Sequence, residues 1–148
     1  MIPLPREACK AIRDPFHLRY DLSPLQRGLA SSPYHVAVAS MLLCRTRRVQ
    51  VDRVVGRLFN EYGCPELLAR ATVLEDLLRP CGLHRNRSRQ LQRFACAWLG
   101  DSWEDMRELP GVGLYVADAV GLFCFGCTKL ESTDGVLDDY ARTVARQT

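Results

Sequence analysis

Leu109-Pro-Gly-Val-Gly-Leu-Tyr-Val-Ala-Asp-Ala-Val120 sets a tight Pro-Gly-x-Gly turn directly ahead of a dense apolar run that continues to Phe125. Glycine reaches backbone conformations closed to other residues, so Gly111 and Gly113 can turn the chain within a few residues. A glycine turn at a helix N-terminus leaves several backbone N–H groups without acceptors. Together with the helix dipole they form an anion site. A DNA phosphate fits such a site without any reading of bases. Gly111, Val112 and Gly113 are therefore candidate DNA contacts. Asp134 follows the hairpin by about twenty residues and precedes one more amphipathic helix, with Leu137, Tyr140, Ala141 and Val144 on one face.

Outward from the hairpin the pattern is helical almost throughout, with no sustained period-two alternation. Ser32-Pro33 reads as an N-cap with proline at the first helical position. Val36 to Cys44 is nearly all apolar, which predicts a central buried helix. Val51, Val54, Val55, Leu58, Phe59 and Tyr62 mark one face of the next helix, with Gly63 as its C-terminal cap. Thr72 to Glu75 has capping-box spacing, and Pro80 with Gly82 ends the short helix that it opens. A basic stretch, His84, Arg85, Arg87 and Arg89, leads into a helix carrying Leu91, Phe94, Ala95, Trp98 and Leu99 on one face. Ser102 is placed to cap a short acidic helix ending at Glu108. Residues 1–30 read as an N-terminal segment packing on a single domain, 31–148.

Composition narrows the class. The 148 residues are 47% hydrophobic and 25% charged, as in a globular chain that buries a core. No apolar run reaches the roughly 18 residues that span a bilayer, and the N-terminus lacks signal-peptide order. An intracellular protein with no membrane partner is expected. The net charge of +3 is unevenly spread: residues 1–100 hold 16 Lys and Arg against 8 Asp and Glu, residues 101–148 hold 4 against 9. The only lysines are Lys10 and Lys129, so the basic half is arginine, which bonds phosphate oxygens in pairs. A high-GC coding bias favours arginine as well. The seven cysteines are scattered, and Cys124-x-x-Cys127 has no second pair at zinc-ligand spacing. No metal site is expected, and the pair reads as buried structure.

Taken together, the hairpin run, its trailing Asp134, Ser32-Pro-Tyr34, Leu43-Cys-Arg-Thr46, Leu78-Arg-Pro-Cys-Gly-Leu83 and Asp134-Gly-Val-Leu-Asp-Asp-Tyr140 resemble, in order, the helix-hairpin-helix DNA glycosylase superfamily. The resemblance is nearest to the glycosylase domain of the methyl-CpG-binding thymine/uracil mismatch glycosylases, and more distant to endonuclease III. It covers roughly residues 30–146. It implies an all-α fold, a bundle of about eight to ten helices. It also implies a DNA glycosylase of base excision repair that acts as a monomer on double-stranded DNA holding a mismatched or damaged base.

The resemblance makes Asp134 the catalytic carboxylate. Breaking an N-glycosidic bond builds positive charge on the sugar, which a fixed carboxylate stabilises while it orients the attacking water. A helix N-terminus favours an anion, so this reading gives Asp134 electrostatic stabilisation ahead of base action. Relatives that also cut the strand carry a lysine where this chain has Tyr115. A phenol forms no Schiff base, so base excision by water with little lyase activity is expected. Tyr115 and Cys44 are assigned to the base pocket. The target nucleotide must be flipped out. Arg45 matches the residue inserted in its place, and Leu83 the apolar wedge on the opposite strand. Arg47 and Arg48 are expected near the DNA backbone.

The chain also departs from the pattern. Cys44 stands where the nearest relatives have asparagine, and Gly135-Val136 replaces a His-Lys-like pair. The compact four-cysteine run of an iron–sulfur cluster is not in the sequence, so no cofactor is expected. The leaving base is read as thymine or uracil opposite guanine. The alternatives are another base, such as adenine or an oxidised pyrimidine, or a non-catalytic helix-hairpin-helix DNA-binding module.

Overall fold

A computed structural model describes residues 3–11, 32–82 and 84–147. Among them the regular structure is helical: α1 Arg6–Ala11, α2 Pro33–Leu43, α3 Arg48–Glu61, α4 Pro65–Ala69, α5 Leu74–Leu77, α6 His84–Leu99, α7 Leu114–Phe125 and α8 Gly135–Gln147. The all-α expectation holds. No helix among the described residues is long and apolar enough to cross a membrane.

Two helices are apolar on all sides, and they form the centre. α2 buries Val36, Ala37, Val38, Ala39, Met41 and Leu42, and α7 buries Val116, Ala117, Ala119, Val120 and Leu122. The two pack directly against each other. The other long helices are amphipathic and turn one stripe inward. α3 contributes Val51, Val54, Val55 and Leu58, while α6 contributes Leu91, Phe94, Ala95 and Trp98. α8 seals the α7 side through Leu137 and Ala141, with Tyr140 tilted against Phe123 at 4.8 Å between ring centroids. Burial of one such leucine contributes about 1.5–3 kcal/mol, so this double layer fixes the helix positions.

The ends of the helices decide where the loops go. Ser32 caps α2 by accepting the His35 N–H at 3.3 Å, with Pro33 at the first position. Three expected caps are replaced. Gly63 follows the actual C-cap, Tyr62, and its φ is not positive. Its lack of a side chain matters because a Cβ there would lie 2.4 Å from the Phe59 carbonyl oxygen. Thr72 does not cap α5, which starts at Leu74 after Val73 with no side-chain cap. Ser102 is likewise bypassed. Asp105 and Glu108 form a reciprocal capping box around the 3-10 turn Met106–Glu108. Asp105 is drawn there because it also accepts the Leu4 N–H at 2.9 Å, tying the first described residues to the turn that leads into the hairpin.

Candidate active site

Leu109 to Gly113 join that 3-10 turn to α7. Gly111 has φ +84, a left-handed conformation. A Cβ on it would meet the Met41 Cε at 2.5 Å and the Gln90 Cγ at 3.1 Å. The turn is thus seated directly on α2 and α6. Gly113 differs from expectation: its φ of −89 and ψ of −169 are extended backbone open to any residue, and a Cβ would meet nothing within 4 Å. Its contribution is open space in front of the helix. The first intrahelical bond of α7 runs from the Ala117 N–H to the Gly113 carbonyl at 3.0 Å, so the N–H groups ahead of it have no intrahelical acceptor.

Asp134 sits just ahead of α8, half-buried. Its Oδ2 accepts the Leu137 N–H at 2.8 Å and its carbonyl accepts the Asp138 N–H at 3.0 Å, which is N-cap geometry. Oδ1 has no hydrogen-bond partner among the described residues. The carboxylate is near enough to Cys44 to act on its thiol. Burial pushes that thiol up, Arg87 and Arg45 oppose the rise, and the Asp134 charge adds to it. Residues ninety positions apart in sequence therefore share one electrostatic environment. Tyr115, in the first turn of α7, is half-buried and packs against the core.

The approach to Asp134 is held by a residue outside the expected set. Asp118 lies on α7, 9% exposed. Its carboxylate accepts the Glu131 N–H at 3.0 Å on each oxygen and the Ser132 N–H at 2.6 Å. In sequence it is the one charged residue inside the run Leu114–Phe125, and a charge within a buried apolar run was the available signal.

The Arg45 loop has a similar support. Arg45 is exposed, with a φ of 60, rare for a residue with a side chain. Arg87 lies beneath it, 6% exposed. Its Nη1 donates to the Met41 and Leu42 carbonyls, both at 2.9 Å. Its Nη2 donates to the Cys44 carbonyl and the Thr46 hydroxyl. These are the last carbonyls of α2, the negative end of its dipole, so a buried cation is stabilised there without a carboxylate partner. The sequence had grouped Arg87 with a basic stretch of no assigned contact. Arg47 is exposed at the start of α3, and the neighbouring Arg48 pairs with Asp52 at 2.8 Å. Leu83 lies outside the described residues.

Among the described residues no group of three or more His, Cys, Asp or Glu could hold a metal. The cysteines are dispersed. Burial pushes the Cys9 and Cys124 thiols up to about 12, so both stay protonated in the packed interior. The described residues do not supply the four clustered cysteines of an iron–sulfur centre.

No protein-family profile matches the chain. Relatives were found among characterised proteins. The methyl-CpG-binding domain protein 4-like protein of Arabidopsis thaliana is 33% identical over 121 residues, which cover 78% of this chain and 27% of that protein. The thymine-DNA glycosylase of Aeropyrum pernix is 35% identical over 105 residues, 65% of this chain and 47% of that one. A solved non-covalent endonuclease III–DNA complex matches with a TM-score of 0.61 at 26% identity, covering 74% of this chain and 55% of the other. The chain thus spans about half, or less, of the length of these proteins.

Proposed function

We propose that this chain, a homologue of the helix-hairpin-helix DNA glycosylases in sequence and fold, is itself a monofunctional DNA glycosylase. In this reading it excises thymine or uracil mispaired with guanine from duplex DNA by hydrolysis of the N-glycosidic bond. The observation that carries the reading is Asp134: a carboxylate fixed through one oxygen by its own helix, with the other oxygen uncommitted, beside the Cys44–Arg45 loop.

The chemistry follows from that arrangement. As the base departs, the sugar gains positive charge, and Oδ1 of Asp134 stabilises it. The same oxygen orients a water for attack on C1′ and takes up its proton as the bond to carbon forms. The electron pair of the broken C1′–N bond leaves with the base, which acquires a proton from solvent. Tyr115 offers no amine, so no covalent link to the sugar forms. Gly111 and Gly113 present backbone N–H groups to a phosphate of the lesion strand, while the Val112 N–H, expected from the sequence to join them, is taken by the Leu109 carbonyl at 3.2 Å and its side chain is buried under the turn. Arg45 fills the space vacated by the flipped nucleotide, Leu83 wedges the opposite strand, and Arg47 contacts the backbone. Cys44 and Tyr115 line the base pocket. Such an enzyme works as a monomer wherever the cell keeps its DNA, without a cofactor.

The test is a panel of duplexes bearing T·G, U·G, oxidised pyrimidines and adenine opposite 8-oxoguanine, followed by alkaline cleavage at abasic sites. Release is expected from T·G and U·G. Asp134→Asn should lower that rate by about 10²–10³-fold, the usual loss for one electrostatic contact to a transition state, while still binding duplex. Full release by Asp134→Asn removes the catalytic assignment. Binding without release from any duplex leaves a non-catalytic DNA-binding module.

A further inference from the structure

We propose that the exposed face of α6 bearing Arg89 and Arg93 is a second contact surface for duplex DNA, taking backbone phosphates beyond those held at the hairpin. The inference rests on the reading of the chain as a DNA-binding protein and adds a surface to it.

Three observations converge. The first is placement. Arg45, Arg87, Arg89 and Arg93 line one cavity of about 550 Å³ together with Pro110 and Gly111 of the hairpin, and no carboxylate lines it. The second is pairing. Arg48, Arg57, Arg79, Arg85 and Arg142 are each neutralised by a nearby acid, through Asp52, Glu61, Asp76, Glu75 and Asp138. Arg89 and Arg93, like Arg47, Arg53, Arg70 and Arg146, are exposed with no ion pair among the described residues, and of these six only Arg89 and Arg93 line the cavity beside the hairpin. Concentrated like charge without a counter-charge costs free energy in the isolated protein, and it attracts a polyanion. The third is rigidity. Gln90, between the two arginines, is the α6 residue against which Gly111 packs. The stripe is therefore fixed relative to the hairpin, and a backbone seated on one is led across the other.

Spacing agrees with that partner. Four residues of α-helix advance about 6 Å. Over that length duplex DNA carries about three phosphates, counting both strands. Two guanidinium groups one turn apart can each reach a separate phosphate, and Arg presents a planar fork suited to its oxygens. The proposal assigns both arginines to phosphates, so the surface is expected to hold duplex without regard to sequence.

The test is the salt dependence of binding to matched and T·G-containing duplexes, by fluorescence anisotropy between 50 and 300 mM salt. Each phosphate contact contributes about 0.9 to the slope of log K against log salt. Arg89→Ala and Arg93→Ala are each expected to lower the magnitude of the slope by about 1 and the double variant by about 2. Both duplexes should weaken equally. Arg57→Ala, which removes an acid-paired arginine of α3, should leave the slope unchanged. An unchanged slope in the double variant overturns the proposal. So does a loss confined to the T·G duplex, or a charge-dependent loss seen with polyglutamate and not with DNA. Base release is followed in parallel. Lowered slopes without any base release sink the glycosylase reading and leave the surface standing, and a wild-type protein that binds no duplex removes both.

Discussion

The Asp118 carboxylate holds the Ser132 N–H at 2.6 Å, so α7 grips the chain two residues ahead of Asp134. The Glu131 N–H bonds the same group. The helix that begins with Tyr115 thus also anchors the loop that delivers Asp134, and the two proposed site residues share one support. Asp118→Asn should separate binding from chemistry. One oxygen is replaced by an NH2 that faces a backbone donor, so the loop loses part of its grip. Single-turnover base release is expected to fall at least about tenfold, since small misplacements of a catalytic group are costly. The Kd for duplex should stay close to wild type. Denaturant titration should show a loss of about 1–3 kcal/mol, the cost of leaving such donors unsatisfied. Wild-type release rates in this variant would show that Asp118 serves packing alone.

Gly111→Ala should damage the hairpin chiefly through its backbone. A side chain is strained at φ +84 whatever the space around it, and its Cβ would also push aside the Met41 Cε, the free end of a flexible side chain, at 2.5 Å. Strain of the left-handed conformation alone is about 1–2 kcal/mol. Thermal unfolding should register a lower Tm, and duplex affinity should drop with it. Gly113→Ala, at an extended position with open space around it, should leave the Tm near wild type and affect DNA affinity only.

Borohydride trapping on a T·G or U·G duplex should yield no covalent protein–DNA adduct, because Tyr115 supplies no amine. Denaturing gel electrophoresis of the trapped mixture is the readout. A strong adduct would mean that Lys10, Lys129 or the N-terminal amine reaches the sugar, against the hydrolytic reading.

Stability should decline as the solution is acidified through the range where histidine titrates. His35 is lowered from its ordinary value by burial, partly offset by its bond to the Gly63 carbonyl at 2.8 Å. The folded protein therefore binds the His35 proton less readily than the unfolded chain does. This contribution to stability is complete above the unfolded value of about 6.5 and is lost as pH falls below it. Urea titrations from pH 7.5 to 5 should show that slope, and His35→Gln should flatten it. An identical slope in the variant would assign the effect to other groups.

The sequence made the centre of the fold legible because α2 and α7 are apolar on every face, and such helices have only the interior to occupy. Asp134 and the Pro110-Gly111 turn were legible for local reasons: a cap and a tight turn depend on neighbours within a few residues. Arg87 and Asp118 were not legible as supports. Each acts on a segment far along the chain, Arg87 on residues 41 to 46 and Asp118 on residues 131 and 132. No periodicity encodes such a contact. Thr72 and Ser102 illustrate the opposite error, where a plausible local cap lost to a competing arrangement. At Ser102 the competitor was Asp105, whose carboxylate also answered the distant Leu4. The Leu83 expectation falls on a residue outside those described.

Arg87 has one more consequence, for how the protein responds to its medium. Its acceptors are three carbonyls of the chain and the Leu42–Thr46 turn's own hydroxyl, none of which titrates in the working range. The Arg45 loop is accordingly held by a contact that neither acid nor moderate salt loosens, because a buried pairing of cation and carbonyl is poorly screened. Ionic strength thus becomes a clean probe here. What salt should remove is the proposed hold on DNA at the surface, while the loop proposed to enter the duplex keeps its shape.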